Sequence, residues 1–357
     1  MRRLENILVT GGAGFIGSNF IRLLLESAPG FNGRIINFDA LTYAGNIASL
    51  LDVQAKFGGK RYFFERGNIQ DADLVATIFE KYRIDTVVHF AAESHVDRSI
   101  VEPDAFVQTN IVGTFTLLEA TRRYWARRDG VLFHHISTDE VYGSLGEINT
   151  FTETTPYAPR SPYSASKAAS DHMVMAFYHT YGLPVTLSNC SNNYGPYQFP
   201  EKFIPLMILN LKEGKSLPVY GDGRNVRDWI HVDDHNRAVW QILRQSKIGE
   251  SYNIGGENEW ENIHLIQKLI EIIAKALGAD TDELNRLITF VKDRPGHDRR
   301  YAINCAKIRR ELNWERVIGF EEGLAKTVDW YLGNKEWIDG VRSGVYRQWI
   351  EQNYKER

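Results

Sequence analysis

Ile7-Leu8-Val9-Thr10-Gly11-Gly12-Ala13-Gly14-Phe15-Ile16-Gly17 is the stretch that decides the fold. Ile7-Leu8-Val9 is an apolar run of the kind buried in a sheet, and from Phe15 to Glu26 the apolar residues Phe15, Ile16, Phe20, Leu23 and Leu24 take helical spacing. Between strand and helix stand Gly11, Gly14 and Gly17, a GxxGxxG spacing rather than the commoner GxGxxG. Gly11 permits a tight turn, Gly14 lets the backbone approach a pyrophosphate, and Gly17 lets the helix pack close to the sheet. The exposed amides and the positive helix end then face phosphate. Taken alone, such a motif also fits a glycine turn in an unrelated protein. Here a second strand, Arg34-Ile35-Ile36-Asn37-Phe38-Asp39, ends on an acid 22 residues after Gly17. An acid there suits the ribose hydroxyls of NAD and repels the 2′-phosphate of NADP, and no arginine immediately follows Asp39 to reverse that preference.

Working outward, strand and helix patterns alternate. Tyr62-Phe63-Phe64-Glu65 reads as a strand, Asp71 to Tyr82 as a helix, Thr86 to Phe90 as a strand and Phe106 to Arg123 as a helix. Val131 to Ile136 is again a strand, Ser164 to Tyr181 a helix and Val185 to Ser188 a strand. This order predicts βαβ units and a Rossmann-like, doubly wound parallel α/β sheet covered on both faces. After about Asn189 the texture becomes irregular and richer in Pro, Gly, Asn and Arg, as in binding loops. We therefore expect a dinucleotide-binding domain over 1–189 with 228–255, and a smaller C-terminal α/β substrate domain over 190–227 with 256–357.

The 357 residues exceed a typical single core, which fits two domains. A net charge of -3 argues against a nucleic-acid partner, so an anionic ligand must be met by local cations and amides. Two distant cysteines, Cys190 and Cys305, give neither a disulfide framework nor a thiolate zinc site. No apolar run of membrane-spanning length and no signal-peptide pattern is seen, and a reducing cytoplasm is expected. His231 and His235 are four apart, but a helix start accounts for them better than zinc, and no metal is expected.

Candidate cofactor contacts lie at the carboxyl ends of strands: Asn68 and Ile69, where an adenine can rest, and Phe90-Ala91-Ala92-Glu93-Ser94, small enough for close passage. Ser161-Pro162-Tyr163-Ser164-Ala165-Ser166-Lys167 reads as a capped helix start with Tyr163 and Lys167 on one face. A cation and a positive helix end favour phenolate, so Tyr163 is a candidate base.

With these features the chain resembles the extended short-chain dehydrogenase/reductase family that acts on nucleotide sugars. The resemblance covers essentially the whole chain and rests on Thr10 to Gly17, Asp39, Tyr163-x-x-x-Lys167 and the strand end Ser137-Thr138. It implies that Thr138 and Tyr163 handle a sugar hydroxyl while NAD accepts hydride. Within the family, epimerases usually lack an acidic pair after that hydroxyl residue, whereas 4,6-dehydratases carry Thr-Asp-Glu; here it is Thr138-Asp139-Glu140. A C4 ketone acidifies the C5 proton, so one carboxylate can remove that proton and a carboxylic acid can protonate the departing C6 hydroxyl. The resemblance assigns Asp139 as acid and Glu140 as base.

The match is closest to the dehydratases of dTDP-glucose. It runs through Asp39-Ala40-Leu41-Thr42-Tyr43-Ala44-Gly45-Asn46, Ala91 to Ser99, Asn192 to Lys202, Arg227-Asp228-Trp229 and Asp293 to Asp298. It implies cofactor contacts at Ala40, Leu41, Thr42, Thr109 and Asn193, and sugar or phosphate contacts at Ser94, Thr138 and Asn192. Lys202, Phe203, Pro218, Val219, Tyr220, Arg227, Asn262, Arg294 and His297 are then expected around the nucleotide diphosphate and base. Arg227 and Arg294 offer planar forks for phosphate, and Tyr220 a ring for a pyrimidine. Phe203 and Ala40 stand where leucine and lysine are commoner. A product used in deoxysugar biosynthesis is implied, as is a homodimer through the helices at 106–123 and 164–181, where Phe115, Leu118, Met173 and Phe177 extend the apolar surface beyond one face. Alternatives on the same scaffold are a UDP-glucose 4,6-dehydratase or a UDP-sugar 4-epimerase; a non-enzymatic NAD-binding module is disfavoured by the intact Thr138, Tyr163 and Lys167.

Overall fold

The structure, a computed structural model, describes residue 2, residues 4–126 and residues 128–342; residues 343–357, the end of the expected substrate domain, lie outside the described residues. Seven strands form one parallel sheet: β1 (Asn6–Thr10), β2 (Arg34–Asp39), β3 (Tyr62–Arg66), β4 (Thr86–His89), β5 (Leu132–Thr138), β6 (Val185–Cys190) and, after a long excursion, Ser251–Ile254. The excursion holds β7 (Asn192–Tyr194), β8 (Leu217–Tyr220) and β9 (Val226–His231), so Ser251–Ile254 is β10; β11 (Glu259–Glu261) and β12 (Ile288–Val291) follow.

The large sheet runs β10-β6-β5-β4-β1-β2-β3, and each adjacent pair is parallel. The chain therefore winds one way from β1 to β3 and the other way from β4 outward. Between β1 and β4 the strand order reverses, the place where open α/β sheets bind ligands. β1 and β5 are buried at every position, which explains why their sequences read as continuous runs rather than alternations. The helices Phe15–Glu26 and Val232–Gln245 cover one face, contributing Phe20, Ile21, Leu24, Val239 and Trp240 to its core. The helices Ala72–Tyr82, Thr114–Tyr124 and Pro162–Tyr181 cover the other through Val75, Phe79, Leu117, Val174 and Phe177.

A second core gathers Tyr194, Ile204, Met207, Leu217, Trp229, Leu265, Ile270 and Leu324 beneath two small sheets. These are β11-β9-β7 and the pair β12-β8. The stretch read from sequence as loop-like thus contains two short strands and the helix Phe203–Glu213. Their partners lie far along the chain, as Asn192 opposite Trp229 and Leu217 opposite Ile288 show, so local patterning has little to report. The expected return of 228–255 to the large sheet takes place through β10, while β9 stays in a small sheet. The single helix expected over Phe106–Arg123 is interrupted: a π-helical stretch, Val107–Gly113, precedes Thr114–Tyr124.

Helix starts follow the local chemistry. Ser161 accepts from the Ser164 N–H while the Ser164 hydroxyl accepts from the Ser161 N–H, both at 3.1 Å, a complete capping box with Pro162 in the first turn. His231 Nδ1 accepts from the Asp233 N–H, capping Val232–Gln245. Among the described residues no group of three or more His, Cys, Asp or Glu side chains is placed to hold a metal.

Candidate active site

One cleft runs over the carboxyl ends of β1, β2, β4 and β5 and under the loops after β6. Its floor begins at Gly11, whose φ of 70° is a left-handed conformation, and a Cβ there would stand 2.6 Å from the Ala91 nitrogen. The loop after β1 therefore lies directly on the end of β4. A Cβ at Gly17 would stand 2.4 Å from the Gly11 carbonyl oxygen, which holds the first helix against the same loop. Asp39 closes β2 and is buried; its Oδ2 accepts from the Ala13 N–H at 2.9 Å and its Oδ1 from the Leu41 N–H at 2.8 Å. Those two amides tie the acid to the glycine loop on one side and to the following turn on the other.

Gly11, Gly14, Phe15, Ile16, Gly17, Asp39, Ala40, Thr42, Asn68, Ile69, Phe90, Ala91, Ala92, Ser94, Thr109, Tyr163, Lys167 and Asn193 all line this cleft. Leu41 is not on its wall and takes part through its amide. The cleft suits an extended ligand with phosphates near the first helix and a ribose near Asp39.

At the far end β5 delivers Thr138, and a 3₁₀ turn, Asp139–Tyr142, starts immediately. Thr138 caps this turn through its hydroxyl, which accepts from the Glu140 N–H at 3.3 Å. The Thr138 hydroxyl is also within hydrogen-bonding reach of Tyr163. Thr138, Asp139, Glu140, Tyr163 and Lys167 share the cleft wall with Ser94, Asn192 and Lys202.

The electrostatics separate these groups. Burial pushes Asp139 well above the usual carboxylate range, and the negative neighbours Glu140 and Asp228 push it further. Glu140 is also raised by burial, but Arg294, Arg227 and Lys202 pull it back. Burial likewise raises Tyr163, with Glu140 next in weight, and lowers Lys167. Burial thus works against the phenolate expected for Tyr163. Lys167 Nζ donates to the Ile136 carbonyl at 2.7 Å and lies 3.4 Å from His135 Nε2.

Apart from Lys202, the candidates for the nucleotide end lie beyond the cleft wall. Lys202 Nζ donates to the Ser94 carbonyl at 2.9 Å, bridging the end of β4 and the loops after β7. Asp97 accepts from Tyr220 at 2.9 Å and pairs with Arg294 at 3.2 Å. Arg227 is buried, lies over the Tyr301 ring at 4.3 Å and donates to the Asp298 carbonyl at 3.0 Å. His297 pairs with Asp293 at 2.6 Å, and its ring meets Tyr220 edge-on at 6.0 Å. Pro218 and Val219 belong to β8, Phe203 stacks on Trp229, and Asn262 opens the helix Asn262–Leu277. The structure brings Lys202, Arg227 and Arg294 within electrostatic reach of Glu140, while Val219 is buried in the second core.

Sequence reading passed over several residues of this region. Cys190, Ser191, Gln198 and Phe199 line the cleft. Asn110, in the π-helical stretch, accepts from the Glu93 N–H and donates to the Glu93 carbonyl and to Ser166, at 2.9, 3.0 and 2.8 Å. It locks the end of β4 to the helix that carries Tyr163. The odd register of a π turn leaves no periodic signal in sequence.

Comparison with known proteins agrees with this geometry. Residues 8–327 match a family model described as GDP-mannose 4,6 dehydratase. The chain is 53% identical to dTDP-glucose 4,6-dehydratase 1 of Escherichia coli (strain K12), over 98% of this chain and 99% of that one. Among solved structures, dTDP-glucose 4,6-dehydratase from Bacillus anthracis in complex with NAD is similar with a TM-score of 0.84 and 47% identity, covering 94% of this chain and 99% of that one. The Streptomyces venezuelae dTDP-glucose 4,6-dehydratase, with NAD and dTDP bound, gives a TM-score of 0.86 and 46% identity at the same coverage.

Proposed function

The chain belongs to the GDP-mannose 4,6 dehydratase family of extended short-chain dehydrogenases/reductases, and from that premise we propose that it is an NAD-dependent dTDP-glucose 4,6-dehydratase. It would convert dTDP-glucose to dTDP-4-keto-6-deoxyglucose and water. The observation that carries the reading is the acidic pair Asp139-Glu140 placed directly beside Thr138 and Tyr163 in one cleft. We assign NAD to residues 1–189 with 228–255, and the nucleotide sugar to 190–227 with 256–357.

The residues fit NAD: Gly11 and Gly14 leave room for a pyrophosphate, and Asp39 ends β2 where ribose hydroxyls belong. NAD held by these residues would supply the hydride acceptor for C4 and the hydride for C6. Tyr163, whose phenolate the positive charges of Lys167 and of bound NAD would favour against its burial, would receive the C4 hydroxyl proton with Thr138 holding the same oxygen, and that proton would later reset Asp139. Lys167 supplies a buried positive charge behind Tyr163. Asp139, held protonated by burial and by Glu140, gives its proton to the departing C6 hydroxyl, so that water leaves. Glu140, drawn toward ionisation by Arg294, Arg227 and Lys202, removes the C5 proton and later restores one there. Two adjacent carboxyl groups with unlike surroundings thereby divide acid and base roles. Lys202, Arg227 and Arg294 meet the diphosphate, and Tyr220 with His297 flanks the base.

A homodimer fits the open groove between the helices Ala72–Tyr82, Thr114–Tyr124 and Pro162–Tyr181, lined by Phe115, Ala120, Tyr124, Met173, Phe177 and Tyr181. Phe115 and Tyr181 are exposed there. A cytoplasmic location is in keeping with two buried free thiols, and no helix among the described residues is long and apolar enough to cross a membrane. The decisive experiment is parallel incubation with dTDP-glucose and UDP-glucose. The 4-keto-6-deoxy product, read by its alkaline absorbance, is expected from the thymidine substrate at the greater kcat/KM. Equal or preferred turnover of UDP-glucose overturns the thymidine assignment, and C4-epimerised product overturns the dehydratase.

A further inference from the structure

Lys167 is buried and carries a cost in doing so, since desolvation disfavours its ammonium form. What stands behind it is a chain of buried polar groups with no part in the steps above. Tyr163, Lys167 and Asp171 are spaced by four along the helix Pro162–Tyr181 and share one face. Lys167 Nζ lies 3.4 Å from His135 Nε2, and the same nitrogen lies 3.2 Å from Asp171 Oδ1. Neither His135 Nδ1 nor Asp171 Oδ1 has a hydrogen-bond partner, so Nε2 is bonded to Lys167 and only in close contact with the carboxylate. The other Asp171 oxygen accepts from Ser137 at 2.7 Å, Tyr157 at 3.0 Å and Asn189 at 3.4 Å. Three neutral donors fix a carboxylate in a place where no arginine touches it.

The geometry points to His135 and Asp171 as positioning residues that keep Lys167 charged and aimed during the hydride-transfer steps. The inference rests on the reading of Tyr163 and Lys167 as the redox pair. Burial pushes Asp171 up to about 6, so it is a carboxylate throughout the alkaline range in which a lysine gives up its proton. Its negative charge opposes the desolvation of Lys167 through space, and the imidazole lies between the two groups, accepting from the ammonium. The groups facing Lys167 are His135 from β5, with His89 of β4 5.1 Å from that ring, Cys190 from β6, and Tyr163 and Asp171 from its own helix. Among them Asp171 is the largest influence favouring the ammonium.

The test is the pH profile of single-turnover C4 oxidation, with the enzyme holding NAD and given dTDP-glucose. Asp171→Asn keeps the shape and an acceptor oxygen but removes the charge. It is expected to move the alkaline limb to lower pH by about one unit or more, the size typical for a lost partner at this range, with KM within a factor of about two. His135→Phe, should the first variant not fold, keeps the carboxylate and removes the nitrogen that accepts from Lys167; the same limb is expected to move the same way. Tyr157→Phe takes one donor from Asp171 but leaves its charge, and its limb is expected to stay in place. An unmoved limb in Asp171→Asn, or an equal shift in Tyr157→Phe, overturns the inference in favour of a structural network. Tyr163→Phe separates the levels: if it transfers hydride at the wild-type rate, the underlying reading fails, whereas if it is inactive and Asp171→Asn keeps its limb, only the present inference fails.

Discussion

Asp139 and Glu140 are neighbours in sequence with different electrostatic company. Asp139 sees negative charge from Glu140 and Asp228, and Glu140 sees three cations. From this follows an expected outcome for Glu140→Gln. Reduction of the cofactor on adding dTDP-glucose should persist in part, while release of keto-deoxy product falls by at least about a hundredfold, the lower range for a lost general base. Rapid-quench analysis of both quantities in one experiment checks this; full product formation would remove Glu140 from the base role. The acidic pair was legible in sequence because its meaning depends on adjacency. Asn110, His135 and Asp171 were not legible. In β5 every position is buried, so a histidine facing a catalytic lysine reads as just another member of a strand.

Among elements, the helix Pro162–Tyr181 matters most, since its start sets where Tyr163 and Lys167 lie. Ser161→Ala removes one half of the capping box and should lower stability by about 1 kcal/mol. Urea unfolding followed by circular dichroism measures it, and a loss well below that figure would show that tertiary contacts alone fix the helix start. Gly11→Ala should do more at one point: the new methyl would meet the Ala91 backbone in a conformation that disfavours any side chain. Affinity for NAD is expected to drop at least tenfold by calorimetry. The strands and helices of the large sheet up to β6 were readable as apolar runs or helical periods, whereas the four-residue β10 was expected only as a return of 228–255 to the sheet. The small sheets were not, because strands of three to six residues draw their definition from partners such as Glu259 opposite Asp228 rather than from their own sequence.

For the whole molecule, buried acids contribute a pH dependence, Glu201 and Asp171 among them. Glu201 is pushed up to about 7 and Asp171 to about 6, chiefly by burial. Unfolded carboxylates titrate near pH ~4. The folded chain therefore holds protons that the unfolded one has shed. That share of stability is complete below pH ~4 and is lost as pH rises toward about 7. Glu201 alone accounts for on the order of 3 kcal/mol of this slope. Buried histidines held below their ordinary value act in the opposite sense over the same range, so the test is a difference: relative to the wild type, Glu201→Gln should lose less thermal midpoint or gain more between pH ~5 and ~8; parallel curves would show that Glu201 titrates normally. At the scale of assembly, Phe115→Glu places a charge in the groove between helices and should yield monomers by light scattering, whereas an unchanged mass would place any interface elsewhere.

The strand order has one more consequence. The chain leaves the large sheet after β6, builds β7, β8 and β9, returns for β10, and leaves again for β11 and β12. The lobe that carries Tyr220, Arg227 and Arg294 is therefore stitched to the other by several passes of one thread. Recombination between relatives at a single crossover would cut β9 from β7 if it fell between those strands, and from β11 if it fell after β9. Any exchange of specificity by grafting must carry both segments together, with matched junctions on each side of β10.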